Sequence, residues 1–395
     1  MTGGRVRTGV LFINSPFEPG ADTWIQALLM RSLDQQRLEV HAACAADRPG
    51  APSPASRLLA EIPGLRLRPT EFGPSFYGLS RWRKLREAAR VLPALASLAG
   101  LARYVRRNRI TILHSSDRPR DVLACALLAR ATGARSVVHV HVKFDRWIGR
   151  GVRRGFARAD ALIGVSRYVA DTLVAGGYAA AKTHAVLNSI VPSEWDPTLD
   201  PGPVRAELGL PADAPVIASV SRLFRWKGHD LLIEAFAQVR RELPGARLVI
   251  VGQDYPAGSG VTAELKALAT RLGVGDSVLF TGQRRDVARV MVAADVFALA
   301  SFEEPFGLVY AEAMALRRPV VALDNGGTPE VVEHGRTGLL SPPADAGALA
   351  ANLLTLLRDP ALRRAMGAAG RARVESVFNP ERMARDCERI YHSLG

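Results

Sequence analysis

The sequence predicts an α/β protein built as two doubly wound, parallel-sheet domains facing each other across a cleft. Three observations predict it. At 395 residues the chain exceeds one ordinary domain and fits two. Short apolar strands alternate with longer segments of helical periodicity. Those strands are rich in Val, Ile and Leu with little strict alternation, as expected where helices cover both sheet faces. A hydrophobic content of 48% supplies enough material for two cores.

In chain order, VRTGVLFIN, RLEVHAACA, ITILHSS, SVVHVHV and ALIGVS read as strands of a first domain. Between them lie segments such as TWIQALLMRSL and VLACALLARATG, whose apolar spacing is helical. This series occupies residues 1–190. It pauses at HAVLNSIVPSEWDPTLDPGPVRAELGLPADA, where proline, glycine and acidic residues cluster, and residues 191–213 read as an interdomain connection. A second series fills residues 214–377. APVIASVS, ARLVIVG, SVLFTG, VFALAS and RPVVAL are its strands. HDLLIEAFAQVRREL is a helix presenting Leu231, Leu232, Ala235, Phe236 and Val239 on one face. In such sheets ligands bind beyond the carboxyl ends of the strands, so the loops after strands are where chemistry belongs.

Composition narrows the field. Cys44, Cys125 and Cys387 lie far apart, with no C-x-x-C pair, which fits a reducing compartment and gives no zinc spacing. The first residues lack the apolar run of a secretory leader, and no stretch reaches membrane-spanning length, so a cytoplasmic protein is expected. The net charge is +14, and only Lys84, Lys143, Lys182, Lys227 and Lys266 are lysines. The arginine excess reads as coding bias as much as chemistry, yet it still makes a surface attractive to phosphates and anionic membranes. Residues 81–109 are the most basic stretch, with Trp82, Tyr104 and leucines among the arginines. They suit either an anionic bilayer or a plain solvated helical face.

Two constellations carry chemistry. In SFEEPFGLVYAEAMALRRPVVAL, Glu304 ends a strand-to-helix loop and Phe306, Gly307, Leu308 and Val309 open a helix bearing Glu312. A helix opening presents free N–H groups and partial positive charge, which suits phosphate. A carboxylate there would repel phosphate, so Glu304 fits hydroxyls of a sugar, and Glu312 fits ribose. In SVSRLFRWKGHDLL, Arg222 and Lys227 follow a strand, and a bidentate guanidinium with a point-charge ammonium suits a diphosphate. Arg225 reads as a solvated surface residue. Gly228 lets the backbone turn into the next helix.

The spacing of Arg222, Lys227 and Gly228, the Glu304-to-Glu312 motif and NGGTPEVVEHGRTGLLSPP at 325–343 together resemble glycosyltransferase family 4, of the two-domain GT-B fold. The resemblance implies a retaining transferase that moves a hexose-type sugar from a UDP- or GDP-sugar, with no metal and no further cofactor. It implies that Arg222 and Lys227 hold the diphosphate. Glu304, with the backbone of Phe306 and Gly307, would meet sugar hydroxyls. The N–H groups of Leu308 and Val309 would meet the distal phosphate, and Glu312 the ribose. The loop at Gln283 and Arg284 matches where the family holds the base, mostly by backbone. VVHVHVKFD matches the family's strand ending in a histidine aimed at the donor sugar. His141 is the better match and His139 the rival, since period-two alternation puts both on one face.

One departure stands out. The family's first loop is usually a Gly-Gly turn that approaches the phosphates and the acceptor, a donor-side role the resemblance gives here to Gly20. Yet this chain reads PFEPGADTW, with Gly20 alone followed by Ala21. Asp22 and Thr23 read either as acceptor ligands or as the N-cap of the next helix, the cap being preferred. The final segment, 378–395, resembles the family's last helix, which returns to the first domain; a surface helix of the second domain is the competing reading. The acceptor stays unassigned, with lipid-linked or envelope polysaccharide acceptors as the family-based expectation. A sugar-nucleotide 2-epimerase on the same fold is the alternative enzyme. A nucleic-acid-binding role lacks any supporting motif.

Overall fold

The computed structural model describes residues 7–46, 53–74, 91–145 and 148–395. The chain divides into two compact units, residues 1–188 with 380–395, and residues 189–379.

The first unit contains β1 (Thr8–Asn14), α1 (Ala21–Ser32), β2 (Leu38–Ala45), α2 (Pro54–Ala60), β3 (Arg66–Thr70), α3 (Val91–Arg107) and β4 (Ile110–Ser116). It continues through α4 (Pro119–Thr132), β5 (Arg135–Val140), α5 (Arg150–Arg158), β6 (Ala161–Gly164), α6 (Arg167–Ala175) and β7 (Thr183–Ala185). Among the described residues its sheet has seven strands, ordered β3-β2-β1-β4-β5-β6-β7, and every pairing is parallel. Central β1 is apolar because helices cover both faces, and Val10 to Ile13 are fully buried. Strand order reverses between β1 and β4, which opens a crevice beyond their carboxyl ends. Asp121, in the first turn of α4, fastens that edge. Its carboxylate accepts the Ser15 N–H at 2.9 Å and the Ser116 hydroxyl at 2.8 Å.

The second unit contains α7 (Gly202–Glu207), β8 (Val216–Val220), α8 (His229–Glu242), β9 (Arg247–Val251), α9 (Val261–Arg271), β10 (Val278–Gly282) and α10 (Val287–Ala293). It continues through β11 (Val296–Leu299), α11 (Leu308–Ala315), β12 (Val320–Leu323), α12 (Thr328–Val331), β13 (Gly338–Ser341), α13 (Ala346–Arg358) and α14 (Pro360–Val377). Its six strands run β10-β9-β8-β11-β12-β13, again all parallel. Here the order reverses between β8 and β11. The α8 face expected from the sequence is buried against the sheet, together with Ile217, Ile250 and Ala298.

The stretch 191–213, expected as a connection, belongs instead to this second unit. Val204 and Leu210 are buried in its core with Val249 and Val290. Arg205 ties the segment down by donating to the carbonyls of Ala293 at 2.9 Å and Ala214 at 2.6 Å. The proline-rich composition reflects short caps and turns rather than a free linker.

Beyond Asn379 the chain re-enters the first unit as α15 (Pro380–Ser393). Met383, Cys387, Ile390 and Tyr391 are buried there. The Tyr391 hydroxyl lies 2.7 Å from His114 Nδ1, and the Glu388 carboxylate accepts the Asp34 N–H at 2.8 Å. Cys44, Cys125 and Cys387 are all buried, and none of them is in a disulfide. Among the described residues no helix is long and apolar enough to cross a membrane.

Candidate functional site

In the second unit the candidate residues converge beyond the carboxyl ends of β8 and β11. The chain leaves β8 and turns into α8 at Gly228, whose φ is 61°. A Cβ there would sit 1.9 Å from the Ala300 carbonyl, so glycine alone permits the approach. This closeness brings Lys227 to the loop after β11. Its Nζ lies 2.5 Å from Glu304 Oε2, with the side chains only 16% and 12% exposed. The Ser301 hydroxyl donates to the same Glu304 oxygen at 2.7 Å.

Glu304 is held from behind by the Asn325-Gly326-Gly327 turn. The Gly327 N–H donates to the Glu304 carbonyl at 2.7 Å, and a Cβ on Gly327 would meet the Pro305 carbonyl at 2.4 Å. The glycine pair therefore lets the turn lie directly on the Glu304 backbone. Phe306 is buried, its ring 5.6 Å from that of Phe378. Gly307 caps α11 with φ 91°, so the N–H groups of Leu308 and Val309 occupy the first helical positions, where intrahelical acceptors are lacking. Glu312 lies one turn further along, and burial pushes its carboxyl up to about 7.

Arg222 is exposed and stacks over Tyr255, at 4.3 Å from the ring centroid. Its neighbour Arg225 forms an exposed ion pair with Glu264 at 3.0 Å. Gln283 is exposed at the end of β10. The Arg284 side chain is not available to a base: it is 14% exposed and bonded to Glu207 and Asp286, each at 2.7 Å. It braces α7 against the start of α10, so only its backbone could serve the role expected for that loop.

In the first unit His141 lies just past β5, and His139 is fully buried within it. Their rings stack at 4.6 Å, as residues two apart on a strand should. His139 also packs on His114 at 5.4 Å. Burial lowers the His141 imidazole to about 4, partly opposed by the Asp22 charge, and lowers His114 to about 3. Gly20 caps α1, so neither Asp22 nor Thr23 is the N-cap. Thr23 instead accepts the Gly20 N–H at 3.3 Å. Asp22 pairs with Arg118 through two bonds, at 2.5 and 2.8 Å. Burial alone would raise the Asp22 carboxyl; the guanidinium more than offsets it and holds the group low. A Cβ on Gly20 would come 2.7 Å from that guanidinium, so a larger residue here would shift the Arg118 side chain. Burial, then the Asp22 charge, raises Asp117 to about 7.

Sequence reasoning missed Asp117 and Arg118, although they directly follow β4, where the sheet rule points. It also missed His114, Ser301 and Tyr255. The segment 81–90 of the basic stretch, and residues 75–82 beside it, lie outside the described residues.

Two family models match the chain: "Glycosyltransferase Family 4" over residues 27–194 and "Glycosyl transferases group 1" over residues 203–373. A D-inositol 3-phosphate glycosyltransferase of Segniliparus rotundus is 39% identical over 215 residues, 52% of this chain and 47% of that one. A GDP-mannose-dependent α-(1-6)-phosphatidylinositol monomannoside mannosyltransferase of Mycolicibacterium smegmatis is 35% identical over 264 residues, 62% and 66% of the two chains. The chain spans about half the length of the first curated relatives it matches. Among solved structures, Anabaena HepE with bound UDP is 23% identical with a TM-score of 0.80, covering 98% of this chain and 100% of that one. Sucrose-phosphate synthase of Thermosynechococcus elongatus is 25% identical, with a TM-score of 0.76, over 98% and 99%. The chain belongs to glycosyltransferase family 4, and its two parallel-sheet units match the GT-B fold.

The buried histidines give an acid dependence. His139 is held well below the ordinary imidazole value by burial and by His141 and His114 beside it. The unfolded chain therefore takes up a proton below about pH 6.5 that the native chain refuses, costing about 1.4 kcal/mol per pH unit. Because buried Asp117 and Asp121 shift oppositely, the difference between wild type and His139→Phe isolates the effect. Urea unfolding at pH 7 and pH 5 should show His139→Phe gaining about 2 kcal/mol on wild type over that interval. Equal pH dependence in both proteins would exclude the histidine as the source.

Proposed function

We propose that the protein is a retaining glycosyltransferase that moves a hexose-type sugar from a UDP- or GDP-sugar to a lipid-linked or polysaccharide acceptor. The observation that carries this reading is the meeting of Lys227 and Glu304 beside the helix opening at Gly307, at the point where the second sheet reverses its order. An ammonium, an exposed guanidinium and free N–H groups suit a diphosphate, while a carboxylate among them suits hydroxyls. The names of the relatives support a nucleotide-sugar donor, since they include GDP-mannose-dependent enzymes.

Cleavage of the anomeric C–O bond puts negative charge on the departing diphosphate. In this reading Arg222, Lys227 and the α11 opening absorb it as preorganised electrostatics, with no metal required. Glu304 and the backbone at Phe306 and Gly307 orient the sugar, Glu312 accepts from ribose, and Gln283 and the Arg284 backbone border the base. His141, neutral at pH 7 because burial lowers it to about 4, acts as a hydrogen-bonding group toward a sugar hydroxyl rather than as a cation. Retention of configuration follows the family resemblance, with the leaving phosphate helping to deprotonate the acceptor on the same face.

Calorimetric titration with UDP, GDP and ADP tests the reading. One nucleotide should bind wild type, and Lys227→Ala should weaken it by about 100-fold. A lost charge-assisted bond accounts for about 10- to 100-fold, and the mostly buried Glu304 carboxylate, left unpaired, adds repulsion. Glu312→Ala should weaken it by about tenfold. Binding of none of the three would end the donor-site reading. With the matching nucleotide sugar and EDTA present, NMR of the product should show the donor's anomeric configuration; inversion, or a C2 epimer formed without acceptor, would replace the mechanism.

The place of action proposed is the cytoplasm or the inner face of the plasma membrane. Leu92 and Leu95 of α3 are 76% and 52% exposed, and Arg103, Arg106 and Arg107 lie exposed further along the same helix. That pairing of apolar and basic side chains suits an anionic bilayer. Wild type should float with anionic vesicles and Leu92→Glu/Leu95→Glu should not; absence of wild-type flotation would remove the membrane from the proposal.

A further inference from the structure

The placement of Arg222 poses a physical question, because among the described residues no carboxylate pairs with it. An exposed arginine on a loop has many rotamers to lose, and a diphosphate ligand gains most from one already in position. Its two cationic neighbours are anchored differently. Arg225 is bonded to Glu264, and Lys227 to Glu304. Arg222 is flanked by π faces, with its guanidinium carbon 4.3 Å from the Tyr255 centroid and 5.5 Å from that of Phe224.

The Tyr255 ring is itself held in place by the backbone. The segments leaving β8 and β9 pair beyond the sheet: the Leu223 N–H donates to the Gln253 carbonyl at 2.8 Å and the Tyr255 N–H to the Leu223 carbonyl at 2.9 Å. Gly252 allows this approach, since a Cβ there would come 1.8 Å from the Ser221 carbonyl. The far side of the loop is pinned by Asp254, which accepts the N–H groups of Gly260 at 2.9 Å and Thr262 at 2.8 Å. Tyr255 is 52% exposed, so packing in a core does not account for the ring.

We propose that Tyr255, assisted by Phe224, is the positioning residue that holds Arg222 for the donor diphosphate. The assignment rests on the donor reading of this site. An aromatic face satisfies the guanidinium through its flat side and leaves the N–H edges free. A carboxylate would instead occupy those edges and compete with phosphate for them. Arg222 is thus kept oriented while its donors stay vacant for the ligand.

The test is calorimetric affinity for UDP, GDP and ADP in wild type, Arg222→Ala, Tyr255→Ala, Tyr255→Leu, Tyr255→Phe and the Arg222→Ala/Tyr255→Ala double variant. Tyr255→Ala and Tyr255→Leu should each weaken the binding nucleotide by about three- to thirtyfold, the range of a cation–π contact. Tyr255→Phe, which keeps the face, should restore wild-type affinity. In the Arg222→Ala background, loss of Tyr255 should change nothing further. Wild-type affinity in Tyr255→Ala, with Arg222→Ala still weakened, would overturn the positioning role and leave the donor site standing. Weakening by Tyr255→Ala that persists undiminished without Arg222 would also overturn it, since the ring would then act on the ligand directly. No nucleotide binding by wild type would overturn the donor reading and this assignment together.

Discussion

The constraint on which everything else depends is the reversal of strand order in each parallel sheet. Where neighbouring strands send their crossovers to opposite faces, no connection closes the gap between them, and backbone groups at their carboxyl ends face open space. In the second unit that gap separates β8 from β11, and the loops leaving these strands deliver Lys227 and Glu304 to one another. In the first unit it separates β1 from β4, and the corresponding loops deliver Asp22 and Arg118. Each sheet thus places an ion pair at the same topological position. The two pairs differ in how the cation is held. Arg118 commits its Nε–Nη2 edge to one carboxylate through two bonds, which fixes the plane of the guanidinium. Lys227 has three donor positions and directs one at Glu304, which leaves capacity for an anion.

The Lys227 and Glu304 pair also shows why glycine recurs around this site. A mostly buried ion pair is stabilising only if both charges are well supported, because desolvation is costly. Ser301 supports the carboxylate directly, and the Asn325-Gly326-Gly327 turn holds the Glu304 main chain from which it projects. Reaching that backbone requires chain-to-chain approaches that a Cβ would block, at Gly228 against Ala300 and at Gly327 against Pro305. The motif glycines are therefore consequences of closeness. They do not bind anything through side chains, and they set how near the charged groups can come.

Much of this was legible in the sequence, and the failures have a common cause. The buried central strands were readable because two-sided burial leaves continuous apolar runs. The strands β3, β7 and β13 went unread, and all three lie at sheet edges. An edge strand is covered on fewer sides, so RLRPT and THA carry polar residues and proline without violating burial. The stretch 191–213 was misread because proline and acidic residues mark turns as readily as linkers, and only the burial of Val204 and Leu210 separates the two. For Arg284 only a backbone role was expected, and nothing local in the sequence reveals that Glu207, 77 residues away, occupies the guanidinium. His114 had no local signal at all. Its partners His139 and Tyr391 come from another strand and from the far end of the chain.

The charge of +14 looked like a statement about partners, yet many arginines are spent inside the second unit. Arg371 donates to the carbonyls of Pro192, Trp195 and Ala315, and Arg373 to those of Glu330 and Val331. Arg318 serves Ala294 and Leu316, and Arg363 serves Leu356 and Leu357. Most of these carbonyls belong to the last turns or caps of α10, α11, α12 and α13, where the helix leaves acceptors unpaired and the dipole favours cations. A guanidinium with five donors satisfies several such groups at once, which lysine cannot do with comparable geometry. Burial lowers Arg318 and Arg373 from their ordinary values, the expected sign for cations drawn away from water. Part of the arginine excess is accordingly structural. What remains as a surface field is concentrated where no carbonyls or carboxylates absorb it, and Arg222, flanked by aromatic faces alone, is the example nearest the chemistry.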